Sequence, residues 1–403
     1  MGAAAETAIP EGAVEIDGAG DYLMPGLAEM HGHLPNPRSP AAVTENVVFL
    51  YVANGVTTVR GMQGDPSQFA LREWIESGEL VGPRLYLGSP AMTGRSVTSV
   101  EDARRLVREY KDAGYDLLKV HEGLSPAVYD AIGATAKEVG IPFGGHVSDA
   151  VGLRHALEAG QATIDHLDNF IEALVPEGLG ADAPGLEGVG ELLDRIDENQ
   201  IPELVEALLQ AGAYVVPTMV LWQSGIFATE PSAQLIEERP EVEYMPRQTV
   251  QAWARAVDQR LEHADLEVNR RVAELRRKIL MAIHAGGGGI LLGTDSPQIF
   301  SVPGFSIHRE MKYWVEAGMS PYEVLEAGTR SVAEYLGATD EFGTVAAGKR
   351  ADLILVQGNP LEDVTNVSRR VGVMVNGRWL PEAEIQQRLA AIAASYAAEH
   401  EPG

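Results

Sequence analysis

The sequence contains no cysteine among its 403 residues. A disulfide framework, a thiolate nucleophile and a cysteine-ligated zinc site are therefore excluded. Any metal ion must be held by histidine, carboxylate or modified lysine. The absence of cysteine does not decide the compartment.

Basic residues are also few, since 31 Lys and Arg stand against 58 Asp and Glu, which gives a formal net charge of −27. This charge repels phosphate backbones and anionic lipid and favours solubility. We therefore expect no nucleic-acid partner and no membrane partner, and we expect a small-molecule substrate. The oligomeric state is left open, with a homo-oligomer included.

Long apolar runs are missing as well. No stretch approaches the roughly 18–20 apolar residues that span a bilayer, and residues 1–16 lack a charged segment followed by an apolar core. These features predict a soluble protein. A cytoplasmic location, or export followed by removal of a signal peptide, both stay open.

The sequence does contain a regular alternation of short apolar runs with amphipathic stretches such as 100–113 and 127–139. Eight strands with intervening helices predict an α/β fold, specifically a (β/α)8 TIM barrel. An open doubly wound sheet is the alternative, but no glycine-rich phosphate turn follows the first predicted strand. The eight runs cover 22–33, 55–62, 83–90, 116–120, 141–147, 163–167, 213–219 and 290–295.

Three segments depart from this alternation. Residues 223–285 predict an excursion that ends in a long charge-rich helix over 254–278, and residues 174–191 predict a loop. After residue 336, short strands and an Asn376-Gly377 pair predict a small β unit with a type I′ hairpin. We predict three parts: 1–21 begins a discontinuous β-sandwich-like domain, 22–336 forms the barrel, and 337–403 completes the small domain and adds a terminal helix.

Five candidate metal ligands end predicted strands. His31 and His33 are separated by one residue, so strand alternation directs both imidazoles to the same side. His146 ends the fifth strand, His166 the sixth and Asp295 the eighth. Barrel enzymes carry their catalytic groups at these strand ends, and imidazoles with carboxylates bind divalent metals. The pattern therefore predicts a metal site.

Lys119 ends the fourth predicted strand and is expected to face the same cluster. A free ammonium group would be repelled by cations, whereas carboxylation by carbon dioxide would create an anionic ligand able to bridge two metal ions. Burial that lowers the pKa of the lysine favours this reaction. The alternative is a lysine that pairs with Asp295 or Glu122, or that extends its amine to solvent.

Six further residues are predicted to contact substrate, because each follows a predicted strand or lies in a loop that could reach the barrel mouth. For each, an ordinary ion pair, backbone hydrogen bond or packing role is the alternative. Histidines 155 and 284 lie in helical stretches and are excluded. The six candidates are Arg60, His121, Trp222, Tyr244, Arg95 and His308.

These motifs together resemble the amidohydrolase superfamily, specifically its imidazolonepropionase-like and Xaa-Pro dipeptidase-like branch. The resemblance covers nearly the whole chain and rests on PGLAEMHGHL, GVTTVRGM, DLLKV, GGHV, IDHL, LLGTDS and GTVAAGKRADLILV. Members usually have more β structure before the first barrel strand, so the likeness leaves the completeness of the small domain open.

The resemblance implies a binuclear site with zinc as the expected metal, although such ligands also accept Mn, Co or Fe. His31, His33 and Asp295 would hold the more buried ion. His146 and His166 would hold the more exposed ion, and a carboxylated lysine at position 119 would bridge the two.

Two bridged cations can lower the pKa of a shared water from about 15.7 to near neutrality, and Asp295 is the expected proton carrier. We therefore predict hydrolysis of an amide or peptide bond, as in a dipeptide, an Xaa-Pro peptide or an N-acyl amino acid. A lactonase, esterase or phosphotriesterase that uses the same site is one alternative. A barrel that binds a ligand without turnover is the other.

Overall fold

The computed structural model describes residues 9, 11–35, 38–176, 178–179 and 188–398. The described chain is an α/β protein with parallel and antiparallel sheets. Its strands are β1 (Asp21–Pro25), β2 (Leu27–Gly32), β3 (Val56–Gly61), β4 (Arg84–Leu87), β5 (Leu118–Val120), β6 (Phe143–Gly145), β7 (Thr163–Asp165), β8 (Tyr214–Val216), β9 (Gly289–Ile290), β10 (Leu353–Gln357), β11 (Arg370–Val375) and β12 (Arg378–Pro381).

Helices separate most of the parallel strands. They are α1 (Ala41–Ala53), α2 (Ser67–Glu76), α3 (Val100–Ala113), α4 (Pro126–Val139), α5 (Leu153–Glu158), α6 (Val189–Leu193), α7 (Ile201–Ala211), α8 (Met219–Leu221), α9 (Ser232–Glu238), α10 (Arg247–Leu261), α11 (Leu266–Ala285), α12 (Phe305–Ala317), α13 (Pro321–Ala327), α14 (Arg330–Tyr335) and α15 (Glu382–Ala398). In the described part of the chain, no helix has the length and apolar character needed to cross a bilayer.

The eight parallel strands form two sheets in chain order, β2-β3-β4 and β5-β6-β7-β8-β9. Seven of the eight predicted apolar runs contain one of them, and the eighth run, 290–295, shares only Ile290 with β9. Backbone hydrogen bonds join the sheets at both edges: Ser89 donates to the Leu117 carbonyl, and Met30 donates to the Leu292 carbonyl, each at 2.9 Å. All residues of β2 and β3 are buried, as expected for strands with both faces covered.

The small unit is one antiparallel sheet in the order β1-β10-β11-β12. Its hairpin turn has φ of 48° at Asn376 and 74° at Gly377, which confirms the predicted type I′ geometry. The expected sandwich is not seen, because the described residues form a single sheet here. The N-terminal strand of this sheet is β1, which pairs with β10.

The first predicted run, 22–33, therefore supplies two strands instead of one. Strand pairing is interrupted at Gly26, whose N–H donates to the Asp352 carbonyl of the small unit at 2.9 Å. A Cβ at this position would collide with the Thr57 side chain, so glycine permits the close approach. The break places β1 in the antiparallel sheet and β2 beside β3.

Local capping sets other boundaries. The helix predicted at 100–113 begins after Ser99, which accepts a hydrogen bond from the Asp102 N–H, and ends at Gly114 with φ of 90°. The predicted long helix over 254–278 is two helices, α10 and α11, because Asp265 caps a new N-terminus. Much of the predicted loop 174–191 lies outside the described residues, and its last residues belong to α6.

Candidate active site

A cavity of about 300 Å³ lies at the C-terminal ends of the parallel strands. Five predicted metal ligands line it: His33, Lys119, His146, His166 and Asp295. The sixth, His31, is buried directly beneath them, with its ring 4.4 Å from that of His166 and 5.4 Å from that of His33. The structure thus brings all six side chains together.

The donor atoms of the buried part of this cluster are spaced as a metal site requires. His31 Nε2 lies 3.3 Å from Lys119 Nζ and 3.6 Å from Asp295 Oδ1. His166 Nε2 is 3.8 Å from Asp295 Oδ2. Tetrahedral zinc with bonds of about 2.0–2.1 Å places its ligands about 3.3 Å apart, so these groups need little movement to share an ion.

Two of these atoms lack a hydrogen-bond partner although they are buried: His166 Nε2 and Asp295 Oδ1. Asp295 Oδ1 is 2.6 Å from His33 Nε2, but the contact does not have hydrogen-bond geometry. Leaving a buried polar atom unpaired costs about 1–3 kcal/mol. A cation between these atoms would satisfy both, so the residues fit a metal ion.

The electrostatic surroundings keep the imidazoles in their ligand form. Burial lowers the pKa of His31 and His166 well below the usual histidine value, and lowers that of His146 to about 3. Burial also lowers the pKa of Lys119, whose side chain is 2% exposed. Neutral imidazoles bind metals, and a lysine with a lowered pKa is more readily present as the free amine.

Each buried imidazole is oriented through its other ring nitrogen. Asp165 contacts His31 Nδ1 at 2.7 Å, and Thr218 contacts His166 Nδ1 at 2.8 Å. Asp168 contacts His146 Nδ1 at 2.7 Å. Such contacts fix the ring and its tautomer. The sequence reasoning missed these three residues, although the two acids flank His166 in TIDHLD.

A second group of possible ligand atoms comes from Glu122, His146 and Asp168, which lie within 4.8 Å of one another. Asp168 is already the hydrogen-bond partner of His146, and its burial raises its pKa to about 7. We therefore regard Asp168 as the group that orients His146, with the Nε2 side of that ring left for the cluster.

The backbone is constrained at His166, directly after β7, and at Asp295, in the segment that follows β9. These residues have φ of 62° and 60°, in the left-handed region that non-glycine residues seldom occupy. Local strain of this kind costs about 1–3 kcal/mol and is concentrated at functional sites.

Gly145, the last residue of β6, lets Lys119 pass close to the backbone. A Cβ at Gly145 would lie 2.8 Å from Lys119 Cδ and 3.1 Å from Lys119 Nζ. A side chain at this position would displace the lysine, so the position of its amine depends on this glycine.

Arg60 lies beneath the cluster and does not line the cavity, unlike the prediction that it contacts substrate. It is wholly buried and donates to the Met30 carbonyl at 2.6 Å and to Asp165 at 3.2 Å. Its N–H groups also reach Thr163 and Tyr335. Its contacts tie the strands together and hold the carboxylate that orients His31.

Two of the predicted substrate residues line the cavity, His121 and Trp222. The His121 ring lies 4.1 Å from that of His146, and its Nδ1 accepts a hydrogen bond from the Glu122 N–H. Trp222 is held by Arg276, whose guanidinium lies 4.5 Å from the ring centroid. Arg276 also donates to the His166 carbonyl at 2.7 Å, so it supports the cluster and the cavity wall together.

The other three predicted substrate residues are not among those that line the cavity. Tyr244 stacks on Phe305 with centroids 5.2 Å apart. Arg95 is exposed in the loop after β4. His308 lies in α12, with both ring nitrogens buried and without a hydrogen-bond partner. Sequence position near a strand end did not distinguish these residues from those that line the cavity.

Comparison with known proteins agrees with this site. The model of the amidohydrolase family matches residues 22–380. A search of curated proteins finds no match. Among solved structures, a bottromycin amidohydrolase is similar with a TM-score of 0.73 and 23% identity, over 94% of this chain and 81% of that one.

Two other solved structures share the fold. A putative prolidase from Bifidobacterium longum has a TM-score of 0.67 and 24% identity, over 97% of this chain and 89% of that one. A Xaa-Pro dipeptidase with bound methionine has a TM-score of 0.61 and 20% identity, over 90% and 87%. Because the family model spans most of the chain, this protein belongs to the amidohydrolase family and is a hydrolase.

Proposed function

We propose that this protein is a binuclear metal-dependent hydrolase that cleaves an amide or peptide bond in a substrate the size of a dipeptide or an N-acyl amino acid. The observation that carries the proposal is the convergence of four imidazoles, Lys119 and Asp295 on one cavity, with buried ligand atoms of His166 and Asp295 left unpaired. The solved relatives named as prolidase and dipeptidase support the choice of bond.

In the proposed site, His31, His33 and Asp295 would hold the more buried ion, and His146 and His166 would hold the more exposed one. Carboxylated Lys119 would bridge them, and zinc is the expected metal. The neutral amine favoured by the burial of Lys119 is the form that reacts with carbon dioxide. We also propose that the parallel strands close as a (β/α)8 barrel, which the hydrogen bonds at both sheet edges support.

When bound, the two ions would lower the pKa of a water molecule and polarise the substrate carbonyl. Asp295 is placed to move the proton. Its Oδ1 faces His31 and His33, where it would hold the more buried ion, and its Oδ2, which accepts a hydrogen bond from Gln298 at 2.9 Å, would take a proton from the attacking water and return it to the leaving nitrogen.

His121 is the proposed donor to the carbonyl oxygen as negative charge develops there. Its Nδ1 accepts from the Glu122 N–H, so the neutral ring carries its proton on Nε2. Burial lowers the pKa of His121 to about 3, which keeps the ring neutral across the neutral pH range. A donor aimed at a developing oxyanion commonly contributes about 10²-fold or more to turnover.

The proposal is tested by metal analysis together with kinetics on dipeptides, N-acyl amino acids, lactones, esters and phosphotriesters. We expect two metal equivalents and the highest kcat/KM on an amide. Asp295→Asn should abolish turnover, whereas His155→Gln should not, because His155 only pairs with Asp130 on the surface.

A higher kcat/KM on a lactone, ester or phosphotriester would show that this compound class, and not the amide, is the preferred substrate. A barrel that binds a ligand without catalysis would be favoured by less than one metal equivalent together with turnover that is absent, or that is unaltered in Asp295→Asn.

A further inference from the structure

Apart from the proposed metal ligands, the described residues that line the cavity offer no cationic partner for a substrate carboxylate. They include the uncharged donors Gln63, His121 and Gln298 and the largely apolar side chains of Met62, Ala91, Leu221, Trp222 and Ile226. None of the described residues that line it is an arginine, and its one lysine is Lys119, which is committed to the cluster.

Two arginines that hydrogen-bond to residues of the site, Arg276 and Arg60, are already engaged. Arg276 uses its two terminal nitrogens on the His166 and Pro217 carbonyls, at 2.7 and 3.0 Å. Arg60 is fully buried under the cluster and bonded to Asp165 and to the Met30 carbonyl. Turning either guanidinium toward a ligand would break buried hydrogen bonds, which is costly.

Carboxyl groups lie beside the cavity. Glu122 places a carboxylate oxygen within 4.8 Å of a ring nitrogen of His146. Asp149 and Asp168 lie close enough to act on Glu122 electrostatically, and the whole chain carries a net charge of −27. Outside the proposed metal site, a carboxylate on the leaving group would therefore meet acidic neighbours and, among the described lining residues, no cation to pair with.

The cavity is also small, since its volume of about 300 Å³ lies at the lower end of the range of roughly 300–1,000 Å³ typical of small-molecule sites. A substrate that fills it buries most of its surface, leaving group included, within this wall. A carboxylate buried there without a cationic partner would be strongly disfavoured.

We propose that the preferred substrate is a small amide whose leaving group is apolar and uncharged and carries no carboxylate beside the scissile nitrogen. This inference rests on the amide hydrolysis proposed above. In the reaction, the oxygen of water bonds to the carbonyl carbon, the C–N bond breaks, and the nitrogen leaves as an amine after taking a proton. Trp222 and its neighbours select the amine by apolar contact.

The test uses two pairs of amides that differ by one carboxylate: leucyl-pyrrolidine against leucyl-proline, and N-acetyl-isoamylamine against N-acetyl-leucine. We expect kcat/KM to be at least about tenfold higher for the uncharged member of each pair, because an unpaired or repelled charge costs that much or more. Equal values, or a preference for the carboxylate, would overturn the inference and leave amide hydrolysis intact.

Hydrolysis of neither pair by protein that holds two metal ions would also overturn the inference. If the protein hydrolyses neither pair and holds less than one metal equivalent, the proposed function fails as well, so the two failures are distinguishable.

A gain-of-function variant provides an independent check. Ala91 lines the cavity and is partly exposed, so a longer side chain can enter from this position. Ala91→Arg should raise kcat/KM for N-acetyl-leucine relative to its uncharged partner by about tenfold, and Ala91→Met, of similar length without charge, should not. If folded, metal-loaded Ala91→Arg leaves the ratio of the two kcat/KM values unchanged, the lack of a cation is not the source of the selectivity.

Discussion

Replacing Gly145 by alanine should disable the site while leaving every proposed ligand in the sequence. The added Cβ would lie 2.8 Å from Lys119 Cδ and 2.6 Å from the Val120 carbonyl oxygen, where ordinary contacts are 3.4–4 Å. Lys119 must therefore move by about 0.6 Å or the strand must shift, since overpacking is relieved by displacement of the neighbours. Either movement withdraws the amine from His31 Nε2.

The expected loss follows from these distances. A displacement approaching 1 Å at a catalytic constellation can cost about 10²-fold in turnover, so kcat/KM should fall by that factor. Gly145 also has φ of 121°. Adding the left-handed penalty of about 1–2 kcal/mol to overpacking of about 1–3 kcal/mol lowers the free energy of unfolding by about 2–5 kcal/mol.

Gly140→Ala is the matched control, because Gly140 has φ of 68° but no atom within 4 Å of the added Cβ. It should lose about 1–2 kcal/mol of stability and keep its metal content and kcat/KM. The assay combines urea unfolding, elemental analysis after dialysis and amide kinetics. Two bound ions and undiminished turnover in Gly145→Ala would refute the argument that this glycine sets the position of Lys119.

Three further outcomes are expected. Lys119→Ala should abolish turnover, with partial recovery when a short carboxylic acid is added; undiminished turnover would remove the bridge from the mechanism. Arg60→Met should lower the free energy of unfolding by about 3–5 kcal/mol, because it leaves the buried Asp165 carboxylate without its arginine partner. A loss below about 1 kcal/mol in urea unfolding would contradict this. Burial lowers the pKa of His308 from 6.5 to about 3, so the unfolded chain binds this proton more readily than the folded one and stability is lost as pH falls below 6.5. His308→Leu should therefore reduce the loss of unfolding free energy between pH 7 and 5 by about 2 kcal/mol. An unaltered pH dependence of urea unfolding in this variant would count against the argument.

Local patterns in the sequence were enough to predict much of the fold. The alternation of apolar runs with helical stretches gave the eight parallel strands, and Asn376-Gly377 gave the hairpin, because periodicity and turn chemistry act over a few residues. The division of the run 22–33 at Gly26 was not predicted. That break depends on a hydrogen bond to Asp352, a residue far away in the chain.

The same distinction holds in the site. The six candidate ligands could be identified because strand ends in a parallel α/β fold converge on one face. The residues that orient them could not, since Thr218 is 52 positions from His166, and Asp165 is 134 positions from His31. Arg60 satisfied the same sequence criterion as the ligands, but its long side chain lies beneath the cluster, where Asp165 and backbone carbonyls hold it.

Anomalous X-ray diffraction from crystals of the metal-loaded protein tests the central claim most directly. The account predicts two anomalous peaks at the cavity, one within bonding distance of His31, His33 and Asp295 and the other of His146 and His166, with continuous density beyond Lys119 Nζ that reaches both. A single peak, peaks elsewhere in the molecule, or an unmodified Lys119 turned away from the ions would contradict it.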